Sequence, residues 1–122
     1  MQTVLILDDE QDWLEKITNG IDGDVEILTA TTIEEGISII ESDKPDVIIC
    51  DSFNVDGWTD VYQAAKEIPM IIVTNDPDTV KEIALAYEIT IDVSNKQNPE
   101  LFNELKEFIN MARKGEGESF KD

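Results

Sequence analysis

Apolar and polar positions along the chain fall into a unit that repeats five times. A short run rich in β-branched residues precedes a longer stretch with helical spacing. The short runs are Thr3–Leu7, Val25–Ala30, Val47–Asp51, Met70–Thr74 and Ile89–Val93, each of strand length. Helical spacing follows in Leu14, Ile17 and Ile21, in Ile33, Ile37 and Ile40, and in Val80, Ile83, Ala84 and Tyr87. It is clearest in Leu101, Leu105, Phe108, Ile109 and Ala112. The third helix is the weakest, expected over Thr59–Glu67. Prolines punctuate the same plan: Pro45 and Pro69 lead into the third and fourth runs, and Pro99 opens the last helix.

Strands alternating with amphipathic helices predict a parallel sheet covered on both faces. The runs VIIC and MIIV are apolar at every position and belong in the middle of the sheet, whereas VEILTA alternates and belongs nearer an edge. Beyond Arg113 the sequence KGEGESFKD lacks helical spacing, so the expected organisation is one domain over 1–113 and a flexible tail over 114–122.

Composition narrows the function. The 122 residues carry 28 acids against 9 bases, a formal net charge of −19, which argues against nucleic-acid and anionic-membrane partners. The absence of histidine removes His-dependent triads and imidazole metal sites. A single cysteine, Cys50, removes intrachain disulfides and CxxC zinc sites. With no signal peptide and no apolar run of bilayer length, the expected location is cytoplasmic.

In open parallel sheets, ligands bind beyond the carboxyl ends of the strands. There the chain places Asp8-Asp9-Glu10 after the first strand, Asp51 at the end of the third, Thr74-Asn75 after the fourth and Lys96 past the fifth. Each has an ordinary alternative. Asp8 and Asp9 could cap a helix, Asp51 could form a turn, Thr74 could cap, and Lys96 could be solvated. Together they form a chemically coherent set. Three carboxylates in one pocket raise each other's pKa unless a cation joins them, and a hard divalent ion such as Mg²⁺ suits oxygen ligands. Adding a hydroxyl and an ammonium suits a phosphoryl group, and a central carboxylate can serve as its nucleophile.

These motifs resemble the receiver domain of two-component response regulators over residues 1 to about 113. VLILDDE is similar to the family's first strand and acidic pair, and DVIICD to its third strand with the phosphoacceptor, here Asp51. MIIVT is similar to the fourth strand with its switch hydroxyl, Thr74, and IDVSNK to the fifth strand with its lysine, Lys96. The resemblance implies a (βα)5 flavodoxin-like three-layer sandwich, with a five-stranded parallel sheet in the order 2-1-3-4-5 and a shortened third helix. It implies Mg²⁺ held by Asp8, Asp9, Asp51 and the backbone carbonyl of Phe53, with Asp51, Thr74 and Lys96 carrying the chemistry. The implied function is a stand-alone receiver, taking a phosphoryl group from a sensor histidine kinase or histidine phosphotransfer protein and signalling to a downstream protein by contact. It would catalyse only its own phosphorylation and dephosphorylation. The surface of the fourth helix, fifth strand and fifth helix, with Tyr87, Glu88 and Leu101–Arg113, is the expected partner site.

Several positions depart from that pattern. SFNVDGW follows Asp51 without the usual Met-Pro, and Asp51 to Thr74 is about seven residues short. Asn75 replaces a small residue, Val93 a common aromatic, and Gln97 the proline after the lysine. They favour, as the alternative, a pseudo-receiver that keeps the fold and no longer switches. Two enzyme-like alternatives fit less well. A haloacid dehalogenase-type phosphotransferase would want an acid where Phe53 stands, and a flavodoxin-like redox protein would want a phosphate loop in place of DDEQDW. Phe53 cannot orient a water, which predicts a long-lived phosphoryl group. Cys50, Trp13 and Trp58 read as packing or, for the tryptophans, partner contacts. The charge is uneven: residues 1–60 carry 16 acids and 2 bases, leaving the second half as the expected partner face.

Overall fold

The computed structural model describes residues 1–21 and 23–119, with side chains described up to Ala112. Ten elements alternate along it: β1 (Gln2–Leu7), α1 (Gln11–Gly20), β2 (Val25–Ala30), α2 (Ile33–Asp43), β3 (Val47–Asp51), α3 (Trp58–Ala65), β4 (Met70–Thr74), α4 (Pro77–Ala86), β5 (Asp92–Asn95) and α5 (Leu101–Ser119). All strand pairs are parallel, in the order β2-β1-β3-β4-β5. The fully apolar runs are interior strands and the alternating one is an edge.

Period-two alternation divides the sheet between two cores. Leu5, Leu7, Ile48, Cys50, Met70 and Ile72 face α2, α3 and α4, where they meet Ile40, Trp58, Val61 and Val80. Val4, Ile6, Val47, Ile49, Ile71 and Val73 face α1 and α5, meeting Leu14, Ile17, Leu101, Leu105 and Ile109. The result is three layers, helices covering both faces, as buried parallel strands require. At Gly36 a Cβ would overlap the Leu7 side chain, so any larger residue there would require Leu7 to move.

Helix ends follow local chemistry. Thr32 caps α2 by accepting the Glu35 amide at 3.1 Å, while Glu35 reaches back to the Thr31 amide at 2.9 Å. Asp76 caps α4, with Pro77 at its first position. At eight residues α3 is the shortest helix, starting one residue before the expected Thr59 and stopping two before Glu67. Lys66 takes a positive φ of 56°, and the Ile68 amide closes the turn onto Ala65 ahead of Pro69.

The fifth strand is displaced from its expected span. Ile89 donates its amide to the Ala84 carbonyl at 2.8 Å, and Glu88 is left-handed at φ 58°, so Ile89–Ile91 is the return from α4. Pairing starts only at Asp92, opposite Ile71. Ile89 and Ile91 are still packed on the core, so their apolarity marked burial rather than pairing. At the C-terminus α5 stays helical to Ser119, past the expected boundary at Arg113. The remainder of the expected tail, residues 120–122, lies outside the described residues. Among the described residues no helix is long and apolar enough to cross a membrane.

Candidate functional site

Strand register brings the chemistry together. Leu7 pairs with Cys50, so the next residues, Asp8 and Asp51, leave adjacent strands at one level. Asp51 pairs with Val73 and Thr74 with Asn95, which sets Thr74 and Lys96 one step further along the same edge. The Lys96 amide is bonded to the Thr74 carbonyl at 2.8 Å.

Lys96 is the hub. Its Nζ lies 2.8 Å from Asp8 Oδ2 and 2.9 Å from Asp51 Oδ1, with side chains 3%, 1% and 12% exposed respectively. Burial alone would lower the lysine pKa. Its hydrogen bonds to Asp51 and Asp8 outweigh that, holding it above its ordinary 10.5 and fully charged. Asp8 is raised above its ordinary 3.8, chiefly by burial and also by the Asp51 charge. Lys96 and the Glu10 amide, 2.9 Å from Oδ1, pull the other way.

Asp9 is exposed and completes the acidic group: carboxylate oxygens of Asp8, Asp9 and Asp51 lie within 4.8 Å of one another. Three oxygen donors this close, opening to solvent through Asp9, fit a hard divalent ion such as Mg²⁺. One lysine cannot neutralise three carboxylates. Neither Asp8 nor Asp9 caps α1, whose N-cap is Glu10 with no side-chain cap.

Phe53 contributes backbone. Its amide donates to Asp51 Oδ2 at 3.0 Å, and its carbonyl accepts the Gly57 amide at 3.0 Å. That oxygen keeps a second lone pair for a cation. The loop is strained: Phe53, Asn54 and Val55 have φ of 48°, 60° and 66°, a left-handed run without a glycine. Internal bonds hold it, among them the buried Trp58 indole N–H donating to the Val55 carbonyl at 2.8 Å. A Cβ at Gly57 would collide with the Phe53 carbonyl, so the loop also depends on that glycine.

Thr74 makes no hydrogen bond to Asp51. Its hydroxyl donates to Ser52 Oγ at 3.0 Å and accepts the Asp76 amide at 3.0 Å, so it both serves the local turn and stands beside the site. No motif in the sequence marks Ser52; the available signal is a polar residue directly after an apolar strand. The ring body of Trp13 joins the α1–α5 core, as a packing role requires. The same ring also carries the Lys96 ammonium 4.9 Å from its centroid. Two departures meet across the opening: Gln97 Nε2 donates to Asn75 Oδ1 at 2.9 Å.

No protein-family model and no curated protein matches the sequence. Solved structures do. A response regulator receiver domain protein from Clostridium thermocellum superposes with a TM-score of 0.77 at 25% identity, over 96% of this chain and 98% of that one. The fold is that of response regulator receiver domains. A receiver domain of a Francisella response regulator matches with a TM-score of 0.75 at 20% identity, over 93% and 98% of the two chains. A CheY-like receiver domain protein from Methanospirillum hungatei JF-1 gives 0.74 at 21% identity, over 94% and 98%. A de novo designed Rossmann 2x3 protein also reaches 0.71, at 18% identity over 91% of each chain. The receiver fold alone therefore assigns no activity, which is decided by the residues at the strand ends.

Proposed function

We propose that the protein is a phosphoacceptor receiver of a two-component system, in which Asp51 takes a phosphoryl group from a phosphohistidine on a sensor kinase or phosphotransfer protein. The observation that carries this reading is the Lys96 ammonium bridging Asp8 and Asp51 while Asp9 closes the acidic group. Buried ion pairs can often be replaced by hydrophobic residues without loss of stability, so a lysine held between two strand-end carboxylates points to function rather than packing.

Asp8, Asp9 and Asp51, with the Phe53 carbonyl, are the residues that would hold Mg²⁺. When bound, it offsets charge on the phosphoryl oxygens. An Asp51 carboxylate oxygen attacks phosphorus, the bond from phosphorus to the donor imidazole breaks, and its electron pair stays on that nitrogen. Lys96, already 2.9 Å from Asp51 Oδ1, is placed to neutralise a transferred oxygen. The Phe53 amide orients the carboxylate through its other oxygen. Thr74 becomes a donor to the phosphoryl group once its hydroxyl turns away from Ser52. The phosphorylated form then signals to a protein target by contact.

A second reading, a pseudo-receiver, draws on the Asn75–Gln97 bond and the Ser52-bound Thr74 hydroxyl, which hold the strand-end loops in one arrangement. Titration with BeF₃⁻ and Mg²⁺, followed by ¹⁹F NMR with Asp51→Ala as control, separates the two. A bound fluoride signal requiring both Mg²⁺ and Asp51 supports the receiver. Its absence at saturating BeF₃⁻ overturns that reading.

A further inference from the structure

The geometry points to Trp13 as the positioning residue of the site: it acts through Lys96 and holds the ammonium in line with Asp51. The assignment rests on the phosphoacceptor reading of Asp51 and extends it to a residue outside the strand ends.

Lys96 reaches the acidic pair at the end of a long, flexible side chain. Two partners are the carboxylates of Asp8 and Asp51, and both must release part of their hold when an anion arrives on Asp51. The third is the indole of Trp13, which is uncharged and does not compete with the incoming group. Trp13 lies one turn into α1, the helix that directly follows Asp8 and Asp9, so the same helix start delivers the acids and the ring. Its half-buried body is anchored against the core formed by Leu14, Ile17 and Leu105. The exposed Lys16 stacks on the same ring, 4.8 Å from its centroid, and adds a second tether to the indole.

The physical role follows from desolvation. The Lys96 side chain is only 3% exposed, so its attraction for a phosphoryl oxygen does not first require shedding bulk water. Without the ring, that side of the ammonium opens to solvent, and binding an anion must repay the hydration. An aliphatic residue would fill the space while lacking the negative ring face that favours a cation. Phenylalanine would retain that face.

The test uses the full chain as wild type, Trp13→Leu and Trp13→Phe. In metal-free protein, acetylation of Lys96 by acetic anhydride is read by mass spectrometry. It should rise in Trp13→Leu and stay near wild type in Trp13→Phe. Half-saturation by BeF₃⁻ in the presence of Mg²⁺ should weaken about three- to tenfold in Trp13→Leu and far less in Trp13→Phe. Equal labelling and equal half-saturation in Trp13→Leu and wild type overturn the assignment and leave the phosphoacceptor reading standing. Labelling that rises while even wild type forms no adduct overturns the phosphoacceptor reading and leaves the Trp13–Lys96 contact standing. If Trp13→Leu does not fold, the Trp58→Phe protein reports Trp13 emission alone. Adding Lys96→Met must shift that emission, and an unchanged spectrum overturns the assignment.

Discussion

Replacing Lys96 with methionine keeps the length of its stem and deletes the charge that Asp8 and Asp51 share. Removing one partner of a buried ion pair costs about 3–5 kcal/mol, because the remaining charge is left uncompensated. Asp51 is 12% exposed and Asp9 opens the cluster to solvent, so water and ions recover part of this. A loss of about 2–3 kcal/mol is expected. Unfolding entropy of about 2 cal/mol/K per residue over a chain of this size converts each kcal/mol into roughly 4 °C, so melting should fall by about 8–12 °C at neutral pH. The pH dependence carries a definite sign. Asp8 is already raised in the folded protein, mainly by burial, and loss of Lys96 removes an interaction that lowers it. A carboxyl with a folded pKa above its unfolded one binds more protons when folded, so stability is gained as pH falls through the raised value. The Lys96→Met deficit should therefore be largest at neutral pH and shrink toward the ordinary carboxylate range. Asp8→Asn in the Lys96→Met background should recover at least about 1 kcal/mol. Thermal unfolding of the three proteins across pH, with and without Mg²⁺, is the assay. A Lys96→Met protein that melts with wild type, or one whose deficit is independent of pH, would refute the reasoning.

Three further outcomes follow from the same geometry. Val55→Asn places a residue tolerant of left-handed backbone where a β-branched one now sits at φ 66°, and should raise melting by about 4 °C, near 1 kcal/mol; a lower melting point counts against the strained loop. Cys50 is fully buried and its thiol pKa is pushed well above 9.0 by burial and the nearby acids, so iodoacetamide at pH 8 should label it only in denaturant. Labelling of folded protein at the denatured rate would contradict that packing. Phosphorylated wild type should lose its phosphoryl group more slowly than Phe53→Asn, whose amide can orient an attacking water; faster loss from wild type would remove that role for Phe53.

Periodicity carried most of the architecture because burial in this fold is periodic. The alternation Val4, Leu5, Ile6, Leu7 is the same alternation that sends successive residues to opposite cores. The site was legible for a related reason. A polar residue that ends an apolar strand has to emerge at the sheet edge, and Asp8, Asp51 and Thr74 do so. Lys96 was legible only by its place after the fifth run, whose true pairing starts at Asp92, later than apolarity suggested. Contacts set by loop conformation or helix placement left no local trace. Nothing in SFNV announces three left-handed residues, since none is glycine. The Trp13–Lys96 contact joins residues distant in sequence, and so does the Asn75–Gln97 bond between two positions that had each looked like an isolated departure.

The proposed transfer of a phosphoryl group to Asp51 is read directly by intact-mass spectrometry. The protein is incubated with Mg²⁺ and a small acyl-phosphate or phosphoramidate donor, then mapped by peptide fragmentation. The expected result is the mass gain of one phosphoryl group, located on Asp51, lost on chelation of Mg²⁺ beforehand and absent from Asp51→Ala. An unmodified wild-type chain under conditions that phosphorylate a known receiver, or an equal gain in Asp51→Ala, would contradict it.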